Sequence, residues 1–520
     1  MKGKHVNHPE LLVIGGGLAA MEAALDAARA YPEMKIQILS KKPVGLSGAS
    51  LVAMSVHRYA PEDPELRESY RRDFLASGHG LSDPKLVEVL VREGAEALRQ
   101  RESMGLPLEF KYRKNARGKE LPYLACCNPK YGRNLTEPMG RLVADQKNVS
   151  ILDGCMAVDL LKEGDRVRGV LAEKDDRLFV IEAKAVILAC GGGGRIYQNT
   201  SNTSDLTGDG YGLALRAGLP LRDMEFVQFY PYRIFSPGCC NIFPDIFEHG
   251  AVFRNEKGRR FMEDYPKKEL ENRDVLAREM FRQKKVIFDP RDCEREYLKR
   301  ECTAIHELWQ KHPESPMLVK PVAHFMMGGI PLRPDGSTGI AGLYCCGEVT
   351  GGLHGANRLA GSALTETAVF GRRAGLAAAE YSRALAGFPN GAPPEQLAAE
   401  QLENWPVPLP GSDDPAPLVR EIRKVMWEKA SLIRERRSME EAESRLKELD
   451  RTLEEQHPVS LRSWLEARNI LTTARTVLAA ALLRQESRGA HYRLDYPETS
   501  EEWQGSIYVS TRGNYFVPQK

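Results

Sequence analysis

Residues 11–30 read LLVIGGGLAAMEAALDAARA. The first four are a continuous apolar run, the pattern of a parallel strand buried on both faces. The run ends in Gly15-Gly16-Gly17, and the next residues have the composition of a helix. The turn is therefore G-x-G-x-x-A, with Gly15, Gly17 and Ala20 at the signature positions. In this pattern Gly15 permits the tight turn, Gly17 lets a pyrophosphate reach the backbone, and Ala20 permits close helix–strand packing. The helix N-terminus adds partial positive charge. A glycine-rich turn is common by itself, but strand, turn and helix in this order predict a dinucleotide site.

Working outward, a second strand is expected at KIQILSKK, residues 35–42. The usual fingerprint ends this strand in an acidic residue for the ribose; this chain has Ser40-Lys41. A third strand, AVILACGGGGRIYQNTS (185–201), again runs into glycines. Thr207-Gly208-Asp209-Gly210 precedes the helical stretch YGLALRAG, which makes Asp209 either a helix N-cap or a ligand for a sugar or phosphate-bridging group. Residues 342–348, GLYCCGE, form another strand ending at Glu348. The small-residue loop GLHGANRLAGSAL (352–364) follows and carries His354 and Arg358. Glycine-rich strand ends spread this widely predict one nucleotide-binding sheet assembled from distant segments.

The chain has 520 residues, 42% hydrophobic and 28% charged, with a formal net charge of +2. That is an ordinary globular mixture for two to four domains. It carries no field that would recruit nucleic acid. No apolar run reaches the length of a membrane span. The polar lead MKGKHVN passes into the first strand with no signal-peptide h-region, so a cytoplasmic location and no direct membrane insertion are expected. Of ten cysteines, six stand in the vicinal pairs Cys126-Cys127, Cys239-Cys240 and Cys345-Cys346. None has C-x-x-C spacing, so no metal site is expected and reduced thiols are the plain reading. No internal repeat or low-complexity tract is present.

The block HFMMGGIPLRPDGSTGIAGLYCCGEVTGGLHGANRLAGSALTETAVFGRRAG (324–375), together with Ser40-Lys41, TGDG, GRRFMEDY (258–265) and ESRGAHYRLDYPE (486–498), resembles the flavoprotein subunits of succinate dehydrogenase and fumarate reductase, and L-aspartate oxidase. The resemblance covers nearly the whole chain. It implies an α/β fold: a Rossmann-like FAD-binding domain (1–229 and 325–390) with an inserted α+β capping domain (230–324) and a C-terminal helical domain (417–520). Residues 391–416 are expected to be a linker, from the Pro- and Gly-rich stretches FPNGAPPE and WPVPLPGSDDPAP. Beyond them, charges at helical spacing read as a solvated face.

The resemblance also implies the site. Gly15, Gly17 and Ala20 would hold the FAD pyrophosphate, and Ser40 and Lys41 match the family's strand ending. Ser47 and Gly48 lie in the loop that faces the cofactor. Asp209 and Glu348 would contact ribityl or ribose hydroxyls. Ala363 and Leu364 would lie by the isoalloxazine at a helix N-terminus, which stabilises reduced flavin electrostatically. In succinate dehydrogenases a histidine of this loop is bonded covalently to FAD; Gly48 stands there, so non-covalent FAD is expected. Arg273 (ENRDVLARE) matches the family's unusual general acid. His324 (PVAHFMMGG) matches a substrate-binding histidine, and Arg358 matches the clamp for a substrate carboxylate, a role suited to a planar guanidinium. His354 is expected either to line the same cleft or to orient the loop. A vicinal pair at Cys345-Cys346, close to the flavin, is a candidate for cycling electrons.

Two family positions differ. The family's Q-F-H-P is Gln228-Phe229-Tyr230-Pro231 here, and the cap's Thr-Glu pair aligns with Phe243-Pro244. Asp245, Glu248 and His249 are the nearby polar substitutes. Losing a hydrogen-bonding partner changes specificity by orders of magnitude. The expected reaction is hydride transfer between flavin N5 and the C=C or CH–CH of a carboxylic acid, in the reductase direction and not optimised for fumarate. The alternatives are an L-aspartate-oxidase-like flavin oxidase and an FAD electron-transfer subunit. With one dinucleotide fingerprint and no cluster or haem motif, an iron–sulfur electron-transfer subunit is the expected partner.

Overall fold

The structure is a computed structural model describing residues 8–114, 120–127, 131–405 and 407–519, with side chains described outside 113–122. The polar lead at residues 1–7 and Pro406 of the expected linker lie outside the described residues. Five parallel strands form the central sheet: β1 (Leu11–Ile14), β2 (Ile36–Ser40), β3 (Val149–Asp153), β4 (Ala185–Leu188) and β5 (Leu343–Cys345). Their order is β5-β4-β1-β2-β3. Leu11 pairs with Ala185 on one side and Ile36 on the other. The chain winds outward from β1 through β2 to β3, then restarts with β4 on the other side. The crevice beyond the carboxyl ends of β1 and β4 is the switch point where such sheets bind ligands. Residues 207–210 lead into a helix, as expected: it spans Asp209–Arg216.

Two helices fix the crevice: α1 (Leu18–Ala30), directly after the glycine turn, and α2 (Ser362–Ala384). A Cβ on Gly375 would lie 2.3 Å from the carbonyl oxygen of Ala23 in α1, and one on Gly371 would lie 3.0 Å from that of Ala19. The alanines of α1 and these two glycines let the helices touch backbone to backbone. At the turn, Gly15 has φ +133°, and a Cβ there would lie 2.2 Å from the carbonyl oxygen of Ala189. β1 and β4 can therefore approach only with glycine at this position.

The chain leaves this body on strand Val227–Tyr230 and returns on Val322–Met326, which pair antiparallel. Between them a five-stranded sheet and the helix α3 (Arg273–Arg282) pack on a separate hydrophobic core whose buried members run from Tyr230 to Val322. The C-terminal segment shares the core of the main body. It contains helices Ala416–Lys429, Arg436–Glu454 and Leu461–Leu483. Two details differ from the sequence reading. The expected linker carries a helix, Pro394–Asn404, which buries Leu397 and Ala398 and so cannot be a free connector. The C-terminal segment ends in a hairpin, Gly505–Ser510 with Gly513–Pro518, whose first strand pairs with Leu221–Arg222. The ESRGAHYRLDYPE motif is pinned by buried charge: Arg484 bonds to Glu225 and Glu486, and Glu486 also holds Arg488. Among the described residues no helix is long and apolar enough to cross a membrane.

Candidate active site

The crevice opens into a cavity of about 460 Å³ that reaches from the glycine turn to the capping segment. At one end Gly17 caps α1, and a Cβ there would meet nothing closer than Ser50 Oγ at 3.7 Å. That open cradle at a helix N-terminus suits a phosphate. The Gly48 N–H donates to Asp205, and Gly48 abuts Gly17, its notional Cβ 3.6 Å from the Gly17 Cα. Ser40 and Ser47 converge above Gly16, where any side chain would strike both hydroxyls at 2.4 Å. Ser47 and Asn202 line the cavity, and Ser47 Oγ and Asn202 Oδ1 are buried without hydrogen-bond partners among the described residues. A polar, nucleotide-sized ligand would satisfy these atoms, so the residues fit FAD.

Lys41 and Asp209 also line the cavity, but they are paired with each other at 2.8 Å. Lys41 further donates to Thr207 and Glu466, and Asp209 accepts from Thr207 and Asn469. Asp209 is the first residue of its helix, with Gly208 at the N-cap. Its carboxylate therefore fixes Lys41 as well as facing the cavity. Glu348 accepts the Met326 N–H at 3.0 Å, and burial pushes its carboxyl up to about 7. Ala363 and Leu364 stand in the first turn of α2 and line the wall.

Away from the glycine turn three arginines face the cavity. Arg358 is 7% exposed. Its Nη2 donates to Gln228 at 2.9 Å, its guanidinium lies over the Phe325 ring, and its Nε has no partner among the described residues. Burial, and then the nearby Arg273, pull this guanidinium down to about 9. A buried arginine without a carboxylate costs several kcal/mol unless an anion joins it. Arg273 opens α3, sits over the Tyr230 ring and lines the cavity. His324 stacks on Tyr230 at 4.8 Å and engages Ser201 Oγ through Nδ1 at 2.8 Å, which leaves Nε2 for a ligand. Burial, Arg358, Arg273 and Arg233 hold His324 well below its usual range, so it is neutral. The third arginine, Arg58, was not picked out from the sequence because VHR carries no motif.

Of the two arrangements expected for His354, lining the cleft or orienting the loop, the geometry matches the second. It is 2% exposed, bonds to Glu366 through Nε2 at 2.9 Å and stacks on Phe74. Glu366, in α2, lines the cavity in front of it. His354 therefore braces the loop. Cys345 and Cys346 are both free, and Cys346 lines the cavity. They are consecutive in extended backbone, so their side chains leave opposite faces. Burial raises both thiols, Cys345 to about 12. Of the polar substitutes in the cap, Asp245 lines the cavity with Phe243 and Pro244, whereas His249 stacks on Tyr297. Tyr230 donates to the Ile242 carbonyl at 2.9 Å, which ties the wall to the cap.

A chain of side chains joins both halves of the site. Arg358 donates to Gln228, Gln228 to Asn357, Asn357 to Asp274, and Asp274 accepts from Arg278, which also donates to the Gly489 carbonyl. Arg273 is thus held next to a residue in hydrogen-bonded register with Arg358.

Two family models match this architecture: an FAD binding domain over residues 10–364 and a fumarate reductase flavoprotein C-terminal domain over residues 419–514. The chain belongs to the succinate dehydrogenase and fumarate reductase flavoprotein family. It is an FAD-dependent oxidoreductase. It is 32% identical to a CoM/CoB fumarate reductase chain of Methanothermobacter marburgensis, over 97% of both chains. It is 33% identical to L-aspartate oxidase of Caulobacter vibrioides, over 94% of this chain and 93% of that one. Among solved structures it is similar to FrdA of E. coli quinol fumarate reductase, with a TM-score of 0.88, 27% identity and coverage of 98% and 97%.

The buried, incompletely partnered guanidinium gives a direct expectation. Arg358→Met should weaken binding of carboxylate ligands by about 3 kcal/mol, roughly 100-fold in Kd, with FAD retained. Titration of the flavin absorbance with carboxylates reads this, and a Kd within threefold of the parent would remove Arg358 from the clamp.

Proposed function

We propose that this flavoprotein reduces the C=C bond of an α,β-unsaturated carboxylic acid, and that its preferred substrate is a monocarboxylate with an apolar tail. The observation that carries the reading is Arg358, buried and lacking a carboxylate, in one cavity with Arg273 and a neutral His324. Arg358 pairs with the substrate carboxylate. His324 Nε2 hydrogen-bonds to the substrate. FAD, when bound in its reduced form, would supply the hydride for one alkene carbon and be oxidised in doing so. Arg273 stands at the start of α3 to deliver a proton to the other carbon. Arg358 stabilises the charge that develops on the carboxylate.

The wall opposite the clamp supports the specificity. Phe243 and Pro244 present apolar surface, Tyr230 fills the place of the family's histidine, and Asp245 lines the cavity with them. The matching FAD loop places Gly48 where covalently flavinylated relatives have histidine, so we propose that the FAD is held without a covalent bond. An iron–sulfur protein is the proposed electron source, in keeping with the likeness to fumarate reductase chains.

Arg273→Lys tests the catalytic assignment. Turnover is expected to fall about 10³-fold, the range of lost general-acid catalysis, while FAD and carboxylate affinity stay within tenfold. Turnover within tenfold of the parent would favour an electron-transfer role. Acid precipitation should release all flavin to the supernatant; flavin retained in the washed pellet would contradict non-covalent attachment.

A further inference from the structure

Arg58 ends the strand Val56–Arg58, and its side chain lines the cavity. Its backbone is bound to the start of α2: the Arg58 N–H donates to the Gly361 carbonyl at 2.9 Å, and the Arg58 carbonyl accepts from Thr365 Oγ1 at 2.7 Å and from the Tyr70 hydroxyl. Gly361, with φ +82°, is the N-cap of α2, and a Cβ there would lie 3.1 Å from the Arg58 Cβ. Arg58 Nε is buried with no hydrogen-bond partner among the described residues. Several other cations of the fold are paired with carboxylates: Arg101 with Glu22, Arg484 with Glu225, Lys41 with Asp209 and Glu466. A cavity-wall cation with an unsatisfied, buried nitrogen beside a helix N-terminus is a place prepared for negative charge.

The cations that bear on His324 and Tyr230 are Arg358, Arg273 and Arg233; Arg58 is not among them. Arg58 instead pairs with Leu124 across the sheet, abuts Gly361 at the N-cap of α2, and bears on Tyr70. The first turn of α2, with Ala363 and Leu364, also lines the cavity. It is the wall beside which the isoalloxazine of this family's FAD is expected.

We propose that Arg58 is a flavin-facing cation that, together with the α2 N-terminus, stabilises the negative charge of the reduced isoalloxazine and so raises the tendency of the flavin to accept electrons. A fixed charge close to the ring nitrogens is one of the means by which a protein tunes this cofactor. The inference rests on FAD binding and not on the choice of substrate.

Sulfite tests it without any substrate. It adds to oxidised flavin, leaves a negative charge on the ring and bleaches its absorbance, so its Kd reports the local positive charge. Arg58→Gln, Arg58→Met and Arg58→Lys are prepared with FAD and titrated, and the flavin midpoint potential is measured. The neutral variants should bind sulfite at least tenfold more weakly and have a more negative potential. Arg58→Lys, which keeps a charge, should stay within about threefold of the parent. If the neutral variants lose FAD while Arg58→Lys keeps it, the charge is needed to hold the ring and the proposal stands. A neutral variant with full FAD and the parent's sulfite Kd and potential overturns it. So does loss of FAD in all three variants, which would make Arg58 a packing residue. Unchanged sulfite affinity with weakened carboxylate binding would assign Arg58 to the substrate and likewise overturn it.

Discussion

The site is organised around one buried, under-partnered charge. Among the described residues, Arg358 keeps a single side-chain hydrogen bond, to Gln228, and leaves Nε unsatisfied. Such a group is stable only where the surrounding fold over-determines it or an anion completes it. The fold does the first through the small-residue loop 352–361. His354 and Glu366 brace that loop from behind, and Gln228 and Asn357 hold it from the side. Residues that touch no ligand in this arrangement still set where the carboxylate of a substrate would lie.

The same hydrogen-bonded chain explains why the capping segment and the C-terminal segment matter to the chemistry. Through Asp274 and Arg278 it reaches α3, which begins with Arg273, and the backbone of Gly489 in the C-terminal motif. That motif is itself anchored by Arg484 and Glu486. Three parts of the chain with long sequence separation thus fix the relative positions of Arg273 and Arg358, the proposed proton donor and anion clamp. Misplacement by about 1 Å is enough to cost catalysis orders of magnitude.

Much of this was legible in the sequence because glycine leaves a physical trace. Gly15 and Gly17 were readable since only glycine permits the approach of β4 and of a phosphate at those points; the structure shows a Cβ at Gly15 striking β4's end and open space over Gly17. The parallel sheet followed from apolar runs ending in glycine. Side-chain pairings were less visible. His354 could not be told from a ligand, because its partner Glu366 and its stacking partner Phe74 come from other elements. Asp209 lines the cavity where a sugar contact was expected, but its pairing with Lys41 and Asn469 comes from tertiary contact that the sequence does not display. The helix Pro394–Asn404 was hidden by flanking prolines, which signal a break and also sit well in a first helical turn. Arg58 had no motif; only its unsatisfied nitrogen beside the cavity marks it.

The central claim is that the clamp and proton donor of this family are retained while the wall that would receive a second carboxylate is rebuilt by Tyr230, Phe243, Pro244 and Asp245. The most direct measurement is anaerobic stopped-flow reoxidation of the reduced protein, mixed in parallel with fumarate and with a series of enoates carrying one carboxylate and an apolar tail. The account predicts rapid reoxidation by a member of the monocarboxylate series and reoxidation by fumarate at least tenfold slower. Fumarate as the fastest oxidant of the flavin would contradict it, and would mean that Tyr230 and the altered cap still accommodate a dicarboxylate.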